Sequence, residues 1–159
     1  VNAPAMARER GIVVEETKSA EAGDYTALIS VRIEVDCAIE DDCVKEIDCI
    51  KKADCIKEVS GTLFGSDDPR IVTVGGFRVD VIPSGNILVV PHQDKPRVAG
   101  PVASIVGEHG INIAGMQVGR RGVGGMAIIM MAVDAPVTDE VLAEIAAVDG
   151  VLDVKMVTL

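Results

Sequence analysis

The run Asn86-Ile87-Leu88-Val89-Val90-Pro91-His92-Gln93-Asp94-Lys95-Pro96 decides the fold of the second half of this chain. An apolar segment of strand length, Asn86 to Val90, leads into a polar turn, and the pattern then changes period. Val98, Val102, Ile105 and Val106 recur at helical spacing over Val98 to Glu108, and His109-Gly110 closes the helix. Pro101 falls in the first turn, where its missing N–H costs little. Further on, Ile111 to Arg120 reads as a strand, Gly122 to Gly125 as a turn and Met126 to Val133 as a second strand. Thr138 is expected to cap a helix over Asp139 to Val148 with Val141, Leu142 and Ile145 as its apolar face. Gly150 ends it, and Val151 to Val157 forms the last strand. The order βαββαβ is a split βαβ unit, a ferredoxin-like four-stranded antiparallel sheet with two helices on one face. That fold hosts many functions and names none.

Working back towards the N-terminus, Pro83-Ser84-Gly85 separates this unit, residues 86–159, from a different style of sequence. Residues 1–83 carry short β-branched runs: Leu28 to Val35, Ile71 to Val74 and Phe77 to Ile82. Val79 and Val81 alternate with Arg78 and Asp80, the period of a half-buried strand. Gly75-Gly76 reads as a hairpin turn between two such runs. Ala3 to Arg10 suits a short helix stopped by Gly11. The fold class is therefore α+β, a small sheet with a helix followed by the βαββαβ unit.

Hydrophobic residues make up 48% of the 159 residues but aromatics only 2%, so aliphatic side chains and Met must fill any core. The formal net charge of −10 and the scarcity of stacking rings argue against a nucleic-acid surface. No apolar run approaches the roughly 20 residues that span a bilayer. The N-terminus has neither an initiator Met nor a signal-peptide core, so the expectation is a soluble cytoplasmic protein and a piece of a longer chain.

All four cysteines, Cys37, Cys43, Cys49 and Cys55, follow an aspartate at six-residue intervals. A metal or redox site is one reading. On a helix each step turns the side chain by about 240°, which spreads the thiols around the axis. Tetrahedral zinc sites usually use closely spaced cysteine pairs instead. The favoured reading is a charged insertion at residues 36–58, helical from about Asp41 to Lys57. Disulfides are not expected in a reducing cytoplasm.

The junction at His92-x-Asp94-Lys95-Pro96 ends a strand and opens a helix, so free backbone N–H groups face any carboxylate there. Asp94 suits an ammonium group, and Asn112 offers an acceptor and two donors at the start of the next strand. Together they describe a site for a small amino acid. The same residues also suit plain turn and cap geometry. Arg70 and Arg78 are candidates to hold an anion such as a phosphate, although most surface arginines are merely solvated. Arg120-Arg121 read as solvent-facing. Gly119, Gly122, Gly124 and Gly125 lack the strand–Gly-rich loop–helix context of a dinucleotide site. No catalytic set is evident, and His109 is an ordinary helix C-terminal residue.

Several of these motifs resemble long-form D-3-phosphoglycerate dehydrogenases. In the first half they are Asn2-Ala3-Pro4-Ala5, Ser60-Gly61-Thr62-Leu63-Phe64-Gly65 and Gly76-Phe77-Arg78-Val79-Asp80-Val81, similar to the intervening, allosteric-substrate-binding domain of that family. In the second they are His92-x-Asp94-Lys95-Pro96, Gly107-Glu108-His109-Gly110-Ile111-Asn112-Ile113 and Gly115-Met116-Gln117-Val118-Gly119-Arg120, similar to its ACT domain. The resemblance implies a partial intervening domain over 1–83 and an ACT domain over 86–159. It implies that the parent oxidises 3-phosphoglycerate with NAD in L-serine biosynthesis, and that this fragment holds no cofactor and is inactive alone. It further implies a homo-oligomer through paired ACT domains, with L-serine bound as feedback effector at their interface by His92, Asp94 and Asn112. A phosphorylated hydroxy acid would bind at Arg70, with Arg78 nearby. An iron–sulfur L-serine dehydratase and a free-standing amino-acid- or metal-binding module are the alternatives. One departure stands out: the family commonly has Gly after the Pro of the ligand loop, and here it is Arg97, which crowds the ligand or forces a glycine conformation on a larger residue.

Overall fold

The computed structural model of the chain describes residues 3–19, 23–34 and 56–159. The short helix α1 (Ala3–Glu9) stops at Gly11, whose φ of 69° is the left-handed conformation that ends a helix. Four strands follow as a meander: β1 (Ile29–Glu34), β2 (Ile56–Phe64), β3 (Asp68–Val74) and β4 (Phe77–Val81), each antiparallel to the next. Gly75 and Gly76, at φ 56° and 79°, make the β3–β4 turn, the paired left-handed conformation of a tight hairpin.

The second unit runs β5 (Asn86–Gln93), α2 (Ala99–Glu108), β6 (Ile113–Arg120), β7 (Met126–Val133), α3 (Asp139–Ala146) and β8 (Lys155–Thr158). Its sheet order is β6-β7-β5-β8, antiparallel throughout, so each helix connects strands that are not neighbours. This is the expected βαββαβ topology. The last strand begins later than its apolar run suggests. Val151 makes only an isolated bridge to His92, and the chain rejoins β5 at Lys155. Thr138 has the extended backbone of a helix cap, but its side chain makes no capping hydrogen bond; Asp139 and Glu140 complement the helix dipole in the first turn.

The four-stranded sheet of the second unit is covered on both faces, because β5 and β7 send apolar residues alternately to either side. On one face Leu88, Val90, Ile129 and Met131 pack with Val102 and Val106 of α2 and Val141 and Ile145 of α3. On the other, Ile87, Ile128 and Met130 pack with Phe77, Val79 and Val81 of β4. The β3–β4 hairpin of the first unit thus forms the second cover. Gly119 marks a close approach: a Cβ there would lie 2.5 Å from the Arg78 carbonyl oxygen and 3.1 Å from Val79.

The helix expected over Asp41 to Lys57 is corrected at its end, since Ile56 and Lys57 open β2 and pair with Glu34 and Ile33 of β1. The strand escapes a period-based reading because its pattern is inverted. Ser60 and Thr62 are the buried residues, while Val59 and Leu63 are exposed. Ser60 Oγ lies 2.8 Å from Ser30 Oγ, and the Thr62 hydroxyl donates to the Ala27 carbonyl, so the buried hydroxyls are satisfied. Cys37, Cys43, Cys49 and Cys55 lie outside the described residues. No helix among the described residues is long and apolar enough to cross a membrane.

Candidate functional site

The loop from β5 to α2 is fixed from two sides. Gln93 N–H donates to Gly150 O at 2.8 Å, and Asp94 N–H donates to Gly125 O at 2.8 Å. Lys95 is then held by Asp149, Nζ to Oδ2 at 2.8 Å. Arg97 has φ 68°, the only residue other than Gly with a positive φ among those described, so the loop adopts its glycine conformation with an arginine in place. That geometry costs an L-residue about 1–2 kcal/mol. Helix α2 starts without a side-chain cap at Val98. Its first N–H groups open beside a groove of about 510 Å³ lined by Lys95, Pro96, Arg97, Pro101, Val148 and Asp149. Asp149 neutralises Lys95 there, so Arg97 and the uncapped helix start are what favour an anionic group such as a carboxylate at this spot.

Asp94 keeps 19% of its side chain exposed and is engaged by the neighbouring hairpin. Its Oδ2 accepts the Gly124 N–H at 3.1 Å and lies 3.5 Å from Arg120 Nη1. His92 is buried, with 2% exposure, on the helix-covered face. Its Nδ1 lies 3.1 Å from the Val90 carbonyl, an acceptor only, so that nitrogen carries the proton. Asn112 is exposed, and its Nδ2 donates to Asp134 Oδ2 at 2.7 Å.

The register decides how these residues relate. Gln93 pairs with Met126 at one end of β7, and Ile113 pairs with Val133 at the other. Asp94 and Asn112 therefore sit at opposite ends of the same sheet, seven residues of β7 apart, or roughly 23 Å at 3.3 Å per residue. One chain does not bring them together on one small ligand. Sequence reading missed this because it sees that Asn112 follows the helix, while strand direction decides which end that is.

Arg70 and Arg78 are likewise held apart, by different carboxylates. Arg70 donates Nε and Nη2 to Asp68 at 3.0 and 2.9 Å and Nη1 to Asp80 at 3.0 Å, with its guanidinium over the Phe64 ring. The side-chain hydrogen bonds that Arg70 donates hold the Asp68 carboxyl below its ordinary range, and the same bonds, accepted by Asp68, raise Arg70 in return. Arg78 is exposed and meets Asp24 at 2.9 Å. Between the two units lies a cleft of about 270 Å³ touching Arg70, Asp80, Met116, Gln117 and Met130. There Gln117 Oε1 accepts the Asp80 N–H of β4 at 3.0 Å.

Arg120 and Arg121 are exposed, as the sequence suggests, yet each side chain has a protein partner. Arg120 faces Asp94, whereas Arg121 donates to the Gly75 carbonyl and lies 4.8 Å from the centroid of the Phe77 ring. Their alternation at the end of a strand was the available signal. Among the described residues, which exclude the cysteines, no group of three or more His, Cys, Asp or Glu could hold a metal ion.

Comparison with known proteins matches residues 86–150 to the ACT domain and residues 1–41 to the D-3-phosphoglycerate dehydrogenase intervening domain. The whole chain aligns with D-3-phosphoglycerate dehydrogenases of Archaeoglobus fulgidus, at 36% identity over 161 residues, and Bacillus subtilis, at 34% over 159. The counterpart from Methanocaldococcus jannaschii is 31% identical over 159 residues. The chain spans 27% of the length of each of these relatives, in their C-terminal part.

Proposed function

From the premise that this chain carries an ACT domain behind an intervening-domain segment of D-3-phosphoglycerate dehydrogenase type, we propose that it is the regulatory end of such an enzyme and senses L-serine. The ligand carboxylate sits at the N-terminus of α2 and its ammonium group at Asp94. Asn112 reaches the ligand from a second copy of the chain, so the site is completed only by homo-oligomerisation through the ACT domain. The observation that carries this reading is the separation of Asp94 and Asn112 to opposite ends of one sheet. Two such sheets set edge to edge about a two-fold axis bring one end of each against the other end of its partner. His92, whose Nδ1 is tied to the Val90 carbonyl, lines the site with its other ring nitrogen.

The parent enzyme would oxidise 3-phosphoglycerate to 3-phosphohydroxypyruvate for serine synthesis in the cytoplasm. NAD would be held by parts outside this chain, which alone would have no dehydrogenase activity. A phosphorylated acid at Arg70 or Arg78 would have to displace Asp68, Asp80 or Asp24, so that effector is subordinate. The relatives above are all named as dehydrogenases, so the dehydratase alternative gains no support.

Titration calorimetry with L-serine tests the sensing claim. Binding is expected, and Asp94→Ala and Asn112→Ala should each weaken it by about ten-fold or more, a change of about 1.4 kcal/mol. Sedimentation should show a dimer or a larger assembly. Absence of both heat and thermal shift at millimolar serine would refute serine sensing; a monomer that binds serine normally would refute the shared site.

A further inference from the structure

We propose that the adjacent arginines Arg120 and Arg121 couple occupancy of Asp94 to the contact between the two units. Successive side chains at the end of a strand point to opposite faces of the sheet. Gly119 faces β4, as its contacts with Arg78 and Val79 show. Arg120 then points to the helix-covered side and meets Asp94 at 3.5 Å. Arg121 returns to the other face, bonds the Gly75 carbonyl and covers the Phe77 ring. It lies so close over the β3–β4 turn that a Cβ on Gly76 would come within 2.5 Å of its Nη2. Two neighbouring residues thus grip the ligand loop on one side and the first unit on the other.

The contacts of Asp94 make the device responsive. Its carboxylate and its N–H both bind the β6–β7 connection, through Arg120, Gly124 and Gly125. A ligand ammonium group at Asp94 replaces the guanidinium, cation for cation, so Asp94 keeps its charge balance while Arg120 loses its anchor. The strand end stays paired with Ala127 but loses the side-chain restraint next to Arg121, which loosens the hold of Arg121 on Gly75 and Phe77. Linkage runs both ways, so a chain already loosened at Arg121 binds the ligand more tightly by the same factor.

The ligand step rests on the amino-acid-binding reading above; the mechanical step does not. Amide hydrogen exchange over residues 74–78 therefore decides the coupling in ligand-free protein. Asp94→Asn and Arg120→Gln should each speed exchange there by about five-fold or more, approaching the effect of Arg121→Gln. His109→Gln, which breaks the pair with Glu144 of α3 in the helix layer, should leave it unchanged. With L-serine as the probe, wild-type protein should show the same acceleration, and Arg120→Gln and Arg121→Gln should both bind serine more tightly. Unchanged exchange at 74–78 in both Asp94→Asn and Arg120→Gln would overturn the proposal, whether or not serine binds. If serine fails to bind but these substitutions loosen the turn, the coupling stands and the amino-acid reading fails.

Discussion

Strands β7 and β1 both carry β-branched aliphatics and end in opposite environments, although β1 alternates them with Ser30, Arg32 and Glu34 while β7 is apolar throughout. In β7 every residue from Ala127 to Met131 is buried, because helices cover one face of its sheet and the β3–β4 hairpin the other. In β1 all six residues are exposed, with Ile29 at 75% and Val31 and Ile33 at 57% each. Strand propensity is shared; composition is not, and among the described residues neither is the covering layer. Apolar content therefore tells where a strand forms, whereas its contribution to stability depends on what is stacked upon it.

The sharpest way to break that contrast is a matched pair of truncations. Ile129→Ala, at a fully buried site, should cost about 2–5 kcal/mol in urea unfolding, whereas Val31→Ala should stay within about 0.5 kcal/mol. Equal costs would mean that β1 has a cover of its own in solution. Next in size is Gly119→Ala, which pushes a methyl into the Arg78 carbonyl where the hairpin meets the sheet. A loss of about 1–3 kcal/mol, with faster amide exchange in β4 than in β5, is expected; a neutral result would show that the two units are not in close contact. The smallest effect has the opposite sign. Arg97→Gly relieves a left-handed arginine at the cost of chain entropy, leaving a gain of about 0.5–1 kcal/mol by thermal unfolding.

What could be read from the sequence follows the same division. The six elements of the second unit were legible because apolar periods of 3.6 and 2 reflect real covering layers, and Gly110 and Gly150 punctuate them. Strand β2 was not, since its inward side chains are the hydroxyls of Ser60 and Thr62 and its outward ones Val59 and Leu63. The site divides similarly. The loop 92–97 follows from local chemistry, whereas the glycine-like conformation of Arg97 was foreshadowed only by the family resemblance. The distance from Asp94 to Asn112 follows from strand direction, and the clasp of Arg121 on Gly75 joins residues 46 positions apart. Nothing local encodes either one.

The two neighbouring methionines of β7 turn this layered architecture into its own chemical reporter. Met130 belongs to the cluster beneath the hairpin and Met131 to the cluster beneath the helices. Both are shielded, at 4% and 0% exposure, so peroxide reaches either sulfur only when its own cover lifts. Sulfoxide at Met130 alone records undocking of the first unit, and sulfoxide at both records opening of the whole domain. One peptide spectrum thereby separates two motions that a melting curve would merge.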